Sequence, residues 1–176
     1  AIRRRWGLAH ETMTNLVDIS PTLTAKSCAV TIIKWAGGKT KLLSQLLPRV
    51  PETYARYYEP FCGGAALYFT LAPRISMAVN GARPVLGDAN PHLMGMYRAI
   101  STDVEGVISA LAIHRDNHRA SWYADVRDAF NVGMITGSSN QAAAFLYLAR
   151  TAWNGLWRVN GSGEFNVPMG DQTADG

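Results

Sequence analysis

A glycine pair and a later carboxylate are the residues best placed to do chemistry in this sequence. Residues 57–69, YYEPFCGGAALYF, are typical of a strand, a glycine turn and a helix start. A second β-prone run, residues 84–88, ends in Asp88, 25 residues after Gly63. That spacing is near the roughly 20 residues between a glycine turn and a ribose-binding acid in a wound sheet. The pattern predicts an adenosine pocket, although an ordinary βα loop with a helix-capping Asp has the same spacing.

A second glycine pair lies in the segment Lys34–Thr40, KWAGGKT. A phosphate-binding loop needs a glycine five residues before Gly38, where this chain has Ile33, so an NTPase is disfavoured. The turn could instead admit a ligand, with Lys39 available for its carboxylate and Trp35 as a flat apolar wall. From this segment alone, a plain strand-to-helix turn with an exposed lysine is the favoured interpretation.

The third signal is the aromatic and arginine-rich segment Arg150–Gly170. Two β-prone runs, 156–159 and 164–167, surround a four-residue loop, which predicts a β-hairpin. Aromatic, Arg and Asn side chains are the groups that wedge between, pair with and read bases. The alternative is a hairpin packed on helices by Trp153, Trp157 and Phe165. Both can hold, since alternate hairpin residues face opposite sides.

Composition limits the function classes. The chain has 176 residues, 48% hydrophobic and 17% charged, as expected of a soluble globular protein with a real core. Its net charge of +4 permits a nucleic-acid partner without proving one. Two cysteines are too few for a disulfide framework or a zinc cluster and fit a reducing cytoplasm. No apolar run approaches the roughly 18 residues that span a membrane.

Periodicity supplies the elements that would position these residues. A β-prone run, 30–35, precedes a short helix over 39–47. Asn90-Pro91 predicts a helix start, and further helices are predicted over 103–113, 121–131 and 139–153. The change from α/β patterning to helices predicts a boundary near residue 90. Residues 1–30 are set aside as a leader.

Taken in order, these segments resemble the Dam-type (D12 class) adenine-specific DNA methyltransferases. Lys34–Lys39 matches the family's Lys-Trp-Ala-Gly-Gly-Lys, and Glu59–Gly64 matches its Glu-Pro-Phe-x-Gly-Gly. Asp88–Pro91 follows the second motif. Asn154–Asn160 matches Asn-Gly-Leu-x-Arg-x-Asn, and Gly163–Pro168 matches Gly-Glu-Phe-Asn-Val-Pro. Each motif is modest alone, but their order is specific.

The resemblance implies an α/β fold. It would be an incomplete Rossmann-like, S-adenosylmethionine-dependent methyltransferase domain with an inserted helical and β-hairpin DNA-recognition domain. Residues 31–90 would form the N-terminal part of the methyltransferase domain, 91–170 the target-recognition domain and 171–176 a truncated end. The implied reaction is methylation of adenine N6 in double-stranded DNA, by a bacterial or phage-encoded cytoplasmic monomer that needs neither metal nor membrane.

The resemblance also implies roles for individual residues. Those that would bind S-adenosylmethionine are Trp35, Lys39, Phe61, Gly63, Gly64 and Asp88. Lys34 would approach DNA, Trp153 and Asn154 would support the neighbours of a flipped-out adenine, and Leu156 and Arg158 would read bases. Trp153 stands where the family often has Tyr or Phe, and Ala152 where Gly is common, which leaves the recognised sequence open.

The family's catalytic tetrapeptide, Asp-Pro-Pro-Tyr, is absent from this sequence, whose eight prolines include no adjacent pair. In the family, its carbonyls accept from the adenine amine and its Tyr stacks on the base. We therefore expect an N-terminal fragment that does not methylate alone. One alternative is a non-catalytic DNA-binding remnant. Another is a nucleotide-binding protein unrelated to DNA, which predicts no DNA affinity even at low salt.

Overall fold

The computed structural model of this protein describes residues 31–78 and 84–170. The predicted leader, 1–30, and truncated end, 171–176, lie outside these ranges. The strands are β1 (Tyr58–Glu59) and β2 (Val85–Leu86). The α-helices of the described residues are α1 (Leu43–Leu46), α2 (Ala66–Ala78), α3 (Pro91–Thr102), α4 (Val104–Asp116), α5 (Ala120–Asn131) and α6 (Ser138–Thr151). Short 3-10 turns cover Lys39–Leu42, Leu47–Arg49 and Trp153–Gly155.

Helix α6 is the centre of the helical half, which we define as residues 91–170. Every residue from Ala142 to Ala149 is buried, and α3, α4 and α5 all pack against this helix. A helix that is apolar on all sides is stable only when it is enclosed. One core cluster joins Leu93 of α3 to Phe145, and a second joins Leu148 to Phe165 of the hairpin.

Local capping explains why the helices begin where they do. The side chain of Asn90 accepts from the backbone N–H groups of His92 and Leu93 at 2.9 and 3.0 Å. Asp103 accepts from the N–H of Gly106 at 3.0 Å, and its other oxygen accepts from the Ser139 hydroxyl at 2.6 Å. The first contact caps α4, and the second ties it to α6. The predicted helices of this region are confirmed to within a few residues.

The sheet half, residues 31–78 and 84–90, contains one β-α-β unit. Strands β1 and β2 pair in parallel, Tyr58 with Val85 and Glu59 with Leu86, and α2 connects them. The arrangement fits an α/β methyltransferase at this level. Leu71 and Ile75 of α2 form a small separate core cluster. The Rossmann-like sheet, the inserted domain and the boundary near residue 90 remain predictions.

Two β predictions had different outcomes. The β-prone run 30–35 forms no strand over its described residues, 31–35. Its Ile33 instead buries its side chain in the helical core cluster, because β-propensity measures packing opportunity more than backbone preference. The predicted hairpin is confirmed by an antiparallel bridge between Val159 and Phe165. Asn131 fastens it to α5, since its side chain donates to Phe165 O and accepts from Phe165 N, at 2.9 and 2.8 Å.

Candidate functional site

The two glycine turns of the sequence lie against one another. Gly63 has a φ of +52°, and a Cβ added there would lie 2.9 Å from Cδ1 of Trp35. A Cβ on Gly64 would lie 3.0 Å from the carbonyl oxygen of Ile33. Only glycine allows this backbone conformation and this closeness together. The Trp35 ring therefore covers the turn that the sequence predicted would receive a ligand.

Asp88 shapes the same turn. Its Oδ2 accepts from the N–H of Gly63 at 2.9 Å, and its Oδ1 accepts from the N–H of Asn90 at 3.0 Å. One residue earlier in each segment, the N–H of Cys62 donates to Gly87 O at 2.8 Å. The carboxylate joins the glycine turn to the start of α3, and its remaining lone pairs can still accept hydrogen bonds.

A half-buried ion pair holds the other side of the turn. The ammonium of Lys39 lies 3.2 Å from Oε1 of Glu59 and also donates to the carbonyl of Phe61. Glu59 is 5% exposed, and its Oε2 accepts from the Tyr57 hydroxyl at 2.7 Å. Burial, reinforced by this hydrogen bond, raises the pKa of Tyr57. Oε1 is buried, and the Lys39 ammonium is its charged partner.

Two further residues of the turn escaped the sequence-based assignment. Glu59 begins the Glu-Pro-Phe-x-Gly-Gly motif, but its pairing with Lys39 depends on the fold. Tyr97 of α3 donates its hydroxyl to the carbonyl of Gly63 at 2.9 Å. It lies in the helix predicted to start at Asn90-Pro91, and a helical position by itself does not indicate this contact.

The buried cysteine beside the turn is chemically quiet. Burial, with the nearby Asp88 and Glu59 carboxylates, raises the pKa of the Cys62 thiol to about 11. A thiol with that pKa is almost wholly protonated near neutral pH, and the thiolate is the nucleophilic form. Cys62 is therefore a packing residue. Among the described residues, no group of three or more His, Cys, Asp and Glu side chains could hold a metal ion.

A cleft of about 420 Å³ opens between the two glycine turns. Its walls include Trp35, Gly37, Gly38, Thr40, Lys41 and Gly64. Phe61 stands at the same turn with 75% of its surface exposed. The lining combines an apolar ring and bare backbone with Lys34 and Lys41, whereas the Asp88 and Glu59 carboxylates belong to the neighbouring turn and not to this lining.

The loop that enters the hairpin is fixed from the sheet half. Asn154 and Gly155 have φ values of +55° and +61°, in the left-handed region. The ammonium of Lys34 donates to both the backbone O and the Oδ1 of Asn154, at 2.8 and 2.9 Å. The neighbouring Trp153 is 57% exposed. Its N–H donates to Pro168 O at 2.9 Å, so the base of the loop is anchored too.

The hairpin has one buried and one exposed face. Trp157 stacks on buried Phe165 with ring centroids 4.4 Å apart. Arg158 is exposed, and Leu156 is half-buried against the core. The expectation that aromatics pack the hairpin on the helices is thus confirmed for Trp157 and Phe165. It is wrong for Trp153, which is exposed and belongs to none of the core clusters.

A family model matches most of this chain, including the glycine turns and the hairpin. The model of the D12 class N6 adenine-specific DNA methyltransferases matches residues 35–175. The chain belongs to this family.

Individual D12 relatives agree with that assignment. A type II methyltransferase of Lactococcus lactis subsp. cremoris is 37% identical over 139 residues, 78% of this chain and 46% of the relative. The retron Ec67 DNA adenine methylase of Escherichia coli is 36% identical over 142 residues, 80% and 47% of the two chains. A DNA adenine methylase of Vibrio cholerae El Tor is 32% identical over 140 residues, 78% and 47%. The chain spans about half the length of these relatives.

Within this D12 chain, the predicted site residues form two groups joined at one point. The predicted cofactor residues Trp35, Lys39, Phe61, Gly63, Gly64 and Asp88 surround the paired glycine turns. The predicted DNA residues Trp153, Asn154, Leu156 and Arg158 lie on the hairpin and its entry loop, and Lys34 reaches them from the sheet half.

No described helix is long and apolar enough to cross a membrane.

Proposed function

We propose that this protein transfers a methyl group from S-adenosylmethionine to adenine N6 in double-stranded DNA. In this proposal the sheet half is the N-terminal part of the methyltransferase domain, and the helical half is the target-recognition domain. Membership of the D12 family supports the reaction. The residues of this chain supply a donor site and a duplex-reading surface.

One observation carries the proposal: consecutive residues serve both sites. The ammonium of Lys34 holds the carbonyl groups of Asn154 at the hairpin entry. The ring of the next residue, Trp35, lies against Gly63 of the glycine turn. A methyl donor beside that turn would therefore lie close to DNA bound at the hairpin, and proximity of the two reactants is the first requirement of group transfer.

The residues at the glycine turns fit S-adenosylmethionine. Each carboxylate oxygen of Asp88 accepts one backbone hydrogen bond, and the Phe61 ring at the same turn is 75% exposed. Asp88 keeps lone pairs for a ribose hydroxyl, and the carboxylates suit a positively charged ligand. When bound, S-adenosylmethionine supplies an electrophilic methyl group on sulfur. Residues of this chain would bind and orient it.

Trp35, Phe61 and Lys39 have separable parts in this proposal. The Trp35 ring would form one wall, and the exposed Phe61 ring offers a face on which an adenine base can stack. The Lys39 ammonium is already paired with Glu59 and Phe61, so its support for the cofactor is the shape of the turn. Its direct contact with the carboxylate of the cofactor remains a prediction.

The hairpin side of the proposal follows from where adenine N6 lies. The amine is inside the duplex, so the base must be extruded before the methyl group can reach it. Trp153 is an exposed ring at the hairpin entry, and an aromatic wedge supports the stack left behind. The side-chain amide of Asn154 can donate hydrogen bonds to the neighbouring bases. Leu156 and Arg158, two residues apart in the first arm of the hairpin, would contact base edges.

The acceptor side of the reaction needs groups that this sequence does not contain. A poorly nucleophilic amine needs carbonyl acceptors to align its lone pair, and the family's Asp-Pro-Pro-Tyr is absent from the 176 residues. Binding of the methyl donor and of DNA by this chain can therefore be tested separately from methyl transfer. This chain alone is expected to bind both partners.

The donor site is tested by calorimetry with S-adenosylmethionine. Asp88→Ala should weaken binding by about 1–3 kcal/mol, roughly 5- to 150-fold in Kd, through lost charge-assisted hydrogen bonds. Asp116→Ala, which removes an exposed carboxylate of α4, is the control and should leave binding unchanged. Equal affinities for the Asp88 variant and the parent would contradict the donor site.

The DNA side is tested separately. Binding of the chain to a labelled duplex should be measurable at low salt and weaken steeply as salt increases. Mass spectrometry of host DNA after expression of the native reading frame should detect N6-methyladenine. Donor binding without any DNA binding would favour a nucleotide-binding protein instead.

A further inference from the structure

We propose that Asn166 is a positioning residue that selects which edge of the Arg158 guanidinium is offered to a base pair. The inference rests on the proposed function and adds a determinant of its sequence preference. The Nε–H of Arg158 donates to Oδ1 of Asn166 at 3.1 Å. A backbone hydrogen bond joins the same two residues, since the N–H of Asn166 donates to the carbonyl of Arg158 at 3.2 Å.

Hairpin register places both side chains on the solvent face. The bridge between Val159 and Phe165 sets Arg158 directly opposite Asn166. Side chains alternate across a strand, so the faces of neighbouring pairs are opposite. Phe165 points into the core and is 2% exposed, whereas Arg158 and Asn166 are exposed. The exposed Arg158–Asn166 pair is therefore available to a duplex, on the face opposite to the one that buries Phe165.

The chemistry of guanidinium gives the contact a consequence. Arginine presents five N–H donors in a planar fork, and the Nε–H belongs to one of its edges. With that donor used by Asn166, the two terminal nitrogens remain as a free edge. That edge has the geometry to donate to O6 and N7 of guanine together. An untethered Arg158 could turn any edge toward a base or a phosphate.

The register that creates the pair is itself fixed within the hairpin. The Oδ1 of Asn160 accepts from the N–H groups of Ser162 and Glu164, at 3.0 and 2.9 Å. Its Nδ2 donates to Oε2 of Glu164 at 2.8 Å. The loop thus has a defined shape without DNA, and Arg158 is oriented before binding. Such preorganisation lowers the entropy lost when a contact forms.

The experiment measures base preference, which a merely structural role would not move selectively. The chain is used to select its preferred duplex from a pool with a randomised centre, and duplexes with one base pair changed are then prepared. Preference at a position is the ratio of the Kd for the changed duplex to the Kd for the selected one. Asn166→Ala, Asn166→Asp, Arg158→Ala and the Arg158→Ala/Asn166→Ala double variant are compared. Ser162→Ala is the control, because the bond from Ser162 to Asn160 uses its backbone N–H.

Arg158→Ala should lower the preference at one base pair by about 5- to 150-fold. Asn166→Ala should lower it at the same base pair by about 3- to 10-fold, the effect of one hydrogen bond. The double variant should add nothing to Arg158→Ala. Asn166→Asp keeps the acceptor and should keep the preference, with weaker binding to every duplex because of its negative charge.

Two results would overturn the inference while leaving the proposed function intact. In one, Asn166→Ala weakens binding to all duplexes equally. In the other, it changes nothing although Arg158→Ala removes the preference. Absence of any preferred duplex for the unmodified chain would instead count against the proposed reading surface, and the inference would fail with it.

Discussion

The helical half and the sheet half are stabilised by different interactions. In the helical half, large side chains such as Tyr123, Phe145 and Phe165 are fully buried around α6. In the described sheet half, the largest fully buried side chains are Leu71 and Cys62. There, backbone hydrogen bonds to Asp88 and the Lys39–Glu59 ion pair set the shape. The difference indicates that the helical half is stabilised mainly by apolar burial, whereas polar contacts determine the shape of the glycine turns in the sheet half.

The largest expected effect comes from Phe145, where the two halves meet. Its ring centroid lies 6.1 Å from that of Trp35 and 4.5 Å from that of Trp157. Phe145→Ala should lower the free energy of unfolding by about 3–5 kcal/mol, measured by urea denaturation. Met134→Ala, at a side chain that is 74% exposed, should change it by less than about 0.5 kcal/mol. If Phe145→Ala lowered the free energy of unfolding by less than about 1 kcal/mol, apolar burial would not be the main source of stability in the helical half.

The ion pair gives an intermediate effect with a different origin. The side chains of Lys39 and Glu59 are 27% and 6% exposed. Lys39→Met would leave a buried carboxylate without its cation, so we expect a loss of roughly 1–3 kcal/mol. Adding Glu59→Gln should recover part of this loss, since a neutral amide needs no cation. Lys41→Met, at an exposed lysine, is the control. Strictly additive effects in the double variant would show that the pair is not coupled.

A smaller effect is expected from the backbone of the glycine turn. Gly63→Ala must hold an L-residue at positive φ, which costs about 1–2 kcal/mol, and must displace the Trp35 ring. Tryptophan fluorescence should change along with thermal stability. Gly133→Ala is the matched control, because Gly133 also has a positive φ, +70°, and a Cβ there would have nothing within 4 Å. If the two alanine variants behave alike, the closeness of Trp35 to the turn is not required.

The smallest expected effect is the contribution of His114, in the helical half, to the pH dependence of stability. His114 stacks on Tyr147 with centroids 4.9 Å apart and accepts from Trp122 Nε1 at 3.2 Å. Burial lowers the pKa of His114, so the unfolded chain binds more protons. Its contribution to stability should therefore be complete above a pH of about 6.5 and be lost as the pH falls below that value. His114→Phe should reduce the pH dependence between about pH 7 and 5. An unchanged pH dependence would exclude His114 as the source.

The elements that could be predicted from the sequence are those with local causes. Asn90 and Asp103 cap helices through bonds within three residues, so composition and periodicity sufficed. The hairpin followed from two β-prone runs and a glycine-rich loop. The strand predicted from the β-prone run 30–35 does not form over 31–35, because Ile33 is held by a distant helical cluster. Burial of Trp157 and exposure of Trp153 likewise depend on the fold.

For the candidate site, the sequence indicated which residues belong together but not what they contact. Asp88 was expected to face a ribose, and the structure adds its bond to Gly63 across 25 residues. Lys39 was expected to be available for a ligand, yet its partner is Glu59. Electrostatic partners of this kind come from elements far apart in the chain. Pattern alone does not choose among the available carboxylates.

The Lys34–Asn154 contact can form only after Asn154 has been translated, late in the synthesis of the described residues. Its partners are 120 residues apart. At synthesis rates of about 5–20 residues per second, roughly 6–24 s pass between translation of the lysine and translation of the asparagine. The glycine turns of residues 31–64 are made early, but the link to the hairpin waits for the late helices. The reading surface and its link to the donor site are therefore completed near the end of translation of the described residues.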